Sequence, residues 1–225
     1  MPMKSSGTPS SWREISKWDG ATSWIAFPDE KMQRASHALV DGEDVWLVDP
    51  IDADGLDDTL ADLGTVRGVV ILLDRHKRDS AALARRYEVP VYLPEWMASV
   101  RSDINAPVEM IRRGLPDSSY DLHKLVDNPV WTEGFLFDED SKTLVVAEAL
   151  GTAHFFLAGD ERIGVHPGLR LKPPKTLERF APERVLVGHG RGVFERAAPA
   201  LRDALDGSLR RTPRLYAETA KDLVL

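Results

Sequence analysis

Two runs decide the fold: Val45-Trp46-Leu47-Val48-Asp49-Pro50, and Gly68-Val69-Val70-Ile71-Leu72-Leu73-Asp74-Arg75-His76-Lys77-Arg78-Asp79-Ser80. The first is a short apolar strand. Pro50 has no N–H to give to a ladder, so the strand stops there and Asp49 stands at its C-terminal end. The second opens on a continuous apolar strand, the pattern of a strand covered on both faces, and runs straight into a charged loop. Between them, Asp54 to Leu63 places Leu56, Leu60 and Leu63 on one helical face with acids at the start, where the helix dipole favours negative charge.

Upstream, Asp41-Gly42 is a hairpin-turn signal between His37 to Val40 and Val45 to Val48, and Trp24 to Phe27 is β-prone. Downstream, Ser80 to Glu88 is predicted helical and Val89 to Leu93 a strand. Pro107 to Ile111, Trp131 to Phe137 and Thr143 to Ala147 are strand-like, with Asp138 to Ser141 as a turn. Arg184 to Val187 is the last predicted strand, Gly188 to Gly192 a tight loop, and Val193 to Leu205 a helix that Pro199 kinks or restarts. This is an α/β pattern without internal repeat. Residues 1–11, rich in Ser, Pro and Gly, are expected to be a flexible lead-in to a single domain over 12–225.

Composition narrows the function classes. The chain has 225 residues, 43% of them hydrophobic and 29% charged, enough for one domain with its own core. It contains no cysteine, which removes thiol catalysis, disulfides, zinc fingers and iron–sulfur clusters; any metal must be held by His, Asp or Glu. Its longest apolar run, Val69 to Leu73, is far short of the ~18 residues of a membrane span, and no secretory core follows Met1. A cytoplasmic protein with no membrane partner is expected. The net charge is −7, and the acids crowd between Asp19 and Asp62. That balance disfavours nucleic acid as a partner.

Three places just past strands carry chemistry: Asp74 to Ser80, the Glu148 that ends Leu144-Val145-Val146-Ala147, and Gly188-His189-Gly190-Arg191-Gly192. Ligand sites in α/β sheets gather beyond strand C-termini, so the three are candidates for one pocket.

In these residues the chain resembles the metallo-β-lactamase superfamily. The family has an Asp after an early strand (here Asp49), a strand running into His-x-His-x-Asp-His, a further His before a strand pair, an acidic bridging ligand and a final Gly-His-Gly. The likeness runs in order and spacing from Ser23 to Leu205. It implies a four-layer αββα sandwich with the site along one edge of the two sheets. Its metal motif is eroded here. Asp74 stands at the first His position, His76 is retained, Arg78 replaces the Asp, and Asp79 replaces the third His. No His occurs around Trp131 to Gly134, Glu148 takes the bridging position, and His189 is retained.

The resemblance therefore implies a candidate site of Asp74, His76, Arg78, Asp79, Glu148 and His189, with Asp49 supporting the metal loop. An always-charged guanidinium in the ligand shell opposes a divalent cation, so two zinc ions are not expected at full occupancy. Two functional expectations follow, the first preferred and the second its alternative, because several ligand positions are lost together and one carries the wrong charge. One is a non-catalytic protein without a resident metal, binding a small anionic molecule through Arg78, Arg191 and His189. The other is a hydrolase of ester, thioester or phosphoester bonds with one zinc, manganese or iron ion on some of His76, Asp74, Asp79, Glu148 and His189. Bland roles compete: Asp79 suits a helix N-cap, and Arg78 suits a neutral cluster with Asp74, Asp79 and Glu148. His37 is expected to be a satisfied buried histidine, and His123, His154 and His166 match no ligand position. The Trp residues are expected in the core.

Overall fold

The computed structural model describes residues 1–7, 9, 11–18 and 21–224, with side chains to residue 220; Thr8 and Ser10 of the N-terminal segment lie outside it. Seven strands form one sheet in chain order: β1 (Arg13–Trp18), β2 (Ala21–Ile25), β3 (Ala35–Asp41), β4 (Asp44–Val48), β5 (Thr65–Val70), β6 (Val91–Pro94) and β7 (Val108–Ile111). β1 to β4 pair antiparallel. From β4 onward the pairs are parallel. Parallel neighbours need a crossover. Helices α1 (Leu56–Ala61) and α2 (Ser80–Arg86) lie in the first two of them. The second sheet comprises β8 (Tyr120–Asn128), β9 (Trp131–Asp138), β10 (Thr143–Val146) and, beyond the short pair β11 (Leu150–Gly151) and β12 (Gly164–Val165), β13 (Arg184–Val187), in the order β13-β10-β9-β8. The C-terminal helix α3 spans Ala197–Val224.

Side-chain alternation along the strands builds the layers. In β4, Val45 and Leu47 face one way and join Leu56 and Leu60 of α1 and Leu83 of α2. Trp46 and Val48 face the other way, onto Leu122, Leu136, Val145 and Leu186 of the second sheet. The far face of that sheet, with Phe135, Phe137, Val146 and Val187, packs on Leu201, Ala204 and Leu205 of α3. The order is helix, sheet, sheet, helix, as the sequence leads one to expect. Each fully buried large apolar side chain in these layers contributes about 1.5–3 kcal/mol.

Some elements differ from expectation. β1 and β8 are edge strands of charged alternation and carry no apolar run. Helix α3 continues far past Leu205, and Pro199 sits in its first turn, where its missing N–H has no intrahelical acceptor to lose. The N-terminal segment lies along residues 30–34: the N–H groups of Lys31 and Met32 donate to Pro2 O and Met3 O, and Ser5 N–H donates to Glu30.

Two buried polar groups tie layers together. Arg170, fully enclosed, pairs with Glu161 and donates to the carbonyls of Phe156 and Val165. Losing one partner of such a pair strands the other charge. Arg170→Ala is therefore expected to cost about 3 kcal/mol or more, a drop of roughly 6–12 °C in thermal unfolding; an unchanged midpoint would show the pair to be dispensable.

His37 bridges the sheets from β3. Its Nε2 is 3.2 Å from Val187 O, which can only accept, so Nε2 carries the proton and Nδ1 accepts from the Ser23 hydroxyl at 2.7 Å. Burial, helped by the Arg78 charge and opposed by Asp49, pushes its pKa down to about 4. The unfolded chain takes up that proton near pH 6.5 and the folded chain does not, so stability is lost as pH falls from 6.5 towards 4. From His37 the loss at pH 4.5 is about 2–3 kcal/mol. In urea titrations at pH 7 and 4.5, His37→Gln should lose less stability on acidification than the parent; an equal loss in both would show that His37 is not the proton-linked group.

Candidate metal centre

The site lies where the two sheets meet at one edge. Past β5 the chain crosses to β9: Gly134 N–H donates to Leu72 O and Asp74 N–H to Thr132 O. The loop before β3 meets the loop after β13 in the same way, Ala35 N–H donating to Gly188 O and Gly190 N–H to Gln33 O. His76, from the first seam, and His189, from the second, are thereby brought face to face, ring centroids 5.5 Å apart.

His189 can sit there because its neighbours lack side chains. A Cβ on Gly188 would come within 2.1 Å of Ala147 O, and Gly190 has φ +98° with Thr152 Oγ1 2.3 Å from where its Cβ would be. Only glycine meets both demands.

Glu148 completes the cluster. His76, Glu148 and His189 are buried, and their ligand-type atoms all lie within 4.8 Å of one another. Among the described residues this is the one such group of three. His76 Nδ1 is 3.0 Å from Asp49 Oδ2, and Asp49 Oδ1 accepts from Leu72 N–H. His189 Nδ1 is 2.9 Å from Met32 O. A carboxylate and a carbonyl on the Nδ1 side put the proton there, leaving each Nε2 lone pair free, and each Nε2 is 3.8 Å from a Glu148 oxygen. His189 Nε2 is buried with no hydrogen-bond partner.

The electrostatics keep both rings neutral. Burial first, then Arg78 and Arg75, hold His76 well below its usual pKa; burial, then His76 and Arg78, do the same to His189. Burial raises Glu148 against the pull of Arg75. Burial also lifts Asp49 to about 6 and Glu133 to about 7, although Glu133 accepts from the N–H groups of Glu148 and Ala149 and from the Trp131 indole.

Other expected site residues are placed differently. Arg78, with φ 42°, does not bracket itself with Asp74, Asp79 and Glu148; its guanidinium donates to the carbonyls of Ala35, Asp49 and Gly188. The partner of Glu148 is Arg75, whose Nε donates to Oε2 at 2.9 Å. Asp79 occupies the N-cap position of α2 without a side-chain cap bond, because its Oδ2 accepts from Asp52 N–H. Asp74 accepts from Thr132 N–H, which fixes the seam. Arg191 reaches Ile15 O on β1. His166, matched to no ligand position, arrives at the site with Nε2 3.8 Å from Glu148 Oε1. Its only signal in sequence is a histidine directly before Pro167-Gly168, a turn that aims the ring inward.

Arg78→Met would remove three charge-assisted hydrogen bonds, although Gly188 O keeps the Ala35 N–H and Asp49 O the Ser36 hydroxyl, and is expected to cost about 3 kcal/mol in denaturant unfolding; a loss below about 1 kcal/mol would show that water replaces the guanidinium freely.

No protein-family model matches the chain, and no curated protein does. Solved structures match in fold over most of the chain. A metallo-β-lactamase from Pontibacter korlensis is 11% identical with a TM-score of 0.62, over 90% of this chain and 99% of that one. A diflavin flavoprotein A 5 fragment from Nostoc sp. PCC 7120 is 13% identical with a TM-score of 0.63, over 92% and 100%. The chemotaxis sensor ODP, solved with a peroxy diiron species, is 12% identical with a TM-score of 0.56, over 92% and 99%.

Proposed function

With the metallo-β-lactamase fold of this chain as premise, we propose that it is a hydrolase of ester, thioester or phosphoester bonds that works with one divalent cation, zinc, manganese or iron, held by His76, Glu148 and His189. The observation that carries this reading is the buried, unpartnered Nε2 of His189 facing Glu148 and the Nε2 of His76. An orphaned buried nitrogen costs about 1–3 kcal/mol, and a cation relieves it. Neutral imidazoles oriented through Nδ1 and one carboxylate are a donor set suited to these ions.

Among the described residues a second cation has no comparable seat. The Arg78 guanidinium stands behind the histidines, and Asp79 is turned to Asp52. A single bound cation supplies Lewis acidity and a lowered pKa for water. The chain's own residues do the rest. Asp49 and Met32 O keep the two Nε2 lone pairs aimed, Glu133 fixes the backbone on which Glu148 stands, and Arg75 holds the Glu148 carboxylate in place.

The competing reading, a non-catalytic anion binder, draws on the Arg75–Glu148 pair, which neutralises the carboxylate without a metal. Elemental analysis of tag-free protein purified without chelator separates the two. The hydrolase reading expects one equivalent of zinc, manganese or iron, lost in His189→Ala, together with at least about a 100-fold loss of hydrolysis in a screen of esters, thioesters and phosphoesters. Metal-free protein would overturn it, and two tightly held equivalents would overturn the single-cation assignment.

A further inference from the structure

Beside the three candidate ligands stands a wall of Trp131, Arg75 and His166, and the cation-holding role takes from it only the Arg75 Nε that holds Glu148. Trp131 is fixed, its indole N–H donating to Glu133 at 2.7 Å. The Arg75 guanidinium lies over this ring, 4.2 Å from its centroid, and the His166 ring meets it edge-on at 4.6 Å. Cation–π contact and the edge contact hold both groups in orientation without consuming their donors.

Neither group can serve as a metal ligand. Arg75 is a permanent cation. His166 Nδ1 accepts from Gly168 N–H at 3.1 Å, so in the neutral ring the proton sits on Nε2, the nitrogen turned toward Glu148. What the two present to the mouth of the site is donors. Arg75 spends Nε on Glu148 and holds Nη1 near Asp74 at 3.5 Å, while its Nη2 has no protein partner among the described residues. The Arg75 side chain is 40% exposed and that of His166 22%, against 9% for His76 and Glu148 and 1% for His189, so these donors stand further out toward solvent than the candidate ligands.

We propose that Arg75 and His166, set against Trp131, form a subsite for an oxyanion, phosphate or carboxylate, carried by the substrate beside the bond that is cleaved. The substrate class is then an anionic ester, a refinement that rests on the hydrolase reading, whereas the subsite itself does not. An oxyanion held between a guanidinium edge and an imidazole N–H gains charge-assisted hydrogen bonds of the strong kind.

The test is calorimetric titration of the full chain with inorganic phosphate and, separately, acetate, with metal content measured on the same samples. Binding of either anion is expected, weakened about tenfold in Arg75→Gln and in His166→Phe. His166→Gln, which restores an N–H donor, should recover most of the affinity, a pattern that a merely structural role of the ring would not give. Stronger binding of phosphate assigns a phosphoester, and stronger binding of acetate a carboxylate-bearing ester. No binding of either anion, or equal affinity in parent and variants, overturns the subsite. Metal-free protein whose anion binding still falls in the variants would leave the subsite standing and remove the one-cation reading.

Discussion

A single guanidinium holds the edge on which the site is built. Arg78 reaches carbonyls at the start of β3, just past β4 and just past β13, so one side chain pins both sheets at the seam where they meet. Burial draws its pKa down to about 10, yet it remains charged at neutral pH, with Asp49 as its main electrostatic support. A cation fixed by carbonyl dipoles does two things at once. It closes the gap between the sheets, and it sets a positive potential against which every neighbouring group must titrate. His37, His76 and His189 all feel it and all stay neutral.

That potential explains the asymmetry of the centre. On the side of Arg78, a charge of the same sign as a metal is built into the protein, and the acid next to it in sequence has turned away to a backbone N–H. On the other side, two neutral rings and a carboxylate converge, each fixed from behind by a group that does not itself enter the cluster. A cation placed on the Arg78 side would stand against a permanent charge of its own sign.

Much of this was legible in sequence. The alternation of Val45 and Leu47 against Trp46 and Val48 places β4 between two layers, and the apolar run ending at Leu73 announces a strand whose end bears chemistry. His76, Glu148 and His189 each stand just past a strand, and strand ends converge in this architecture. What escaped was the direction of side chains in loops. Arg75 and Arg78 are three residues apart, and the positive φ of Arg78 sends it inward while Arg75 goes to Glu148, a choice that no periodicity encodes. His166 was hidden because its placement depends on the β11–β12 pair and on Arg170 clamping the chain around it. The edge strands β1 and β8 were invisible because exposed charged residues, three of six in β1 and three of nine in β8, interrupt their apolar pattern.

The strand order also sets the sequence in which the molecule can be assembled. In the first sheet every strand lies beside its neighbour in the chain, so its pairings close short loops. The second sheet cannot close that way: β10 lies parallel to β13, and Thr143 waits for Arg184 as its partner. The seam that delivers His189 follows β13, so the centre comes together only after nearly the whole chain has emerged. Until then His76 and Glu148 stand without the third member of their cluster, and the face of β9 and β10 that α3 covers, with Phe135, Phe137 and Val146, lacks its partner.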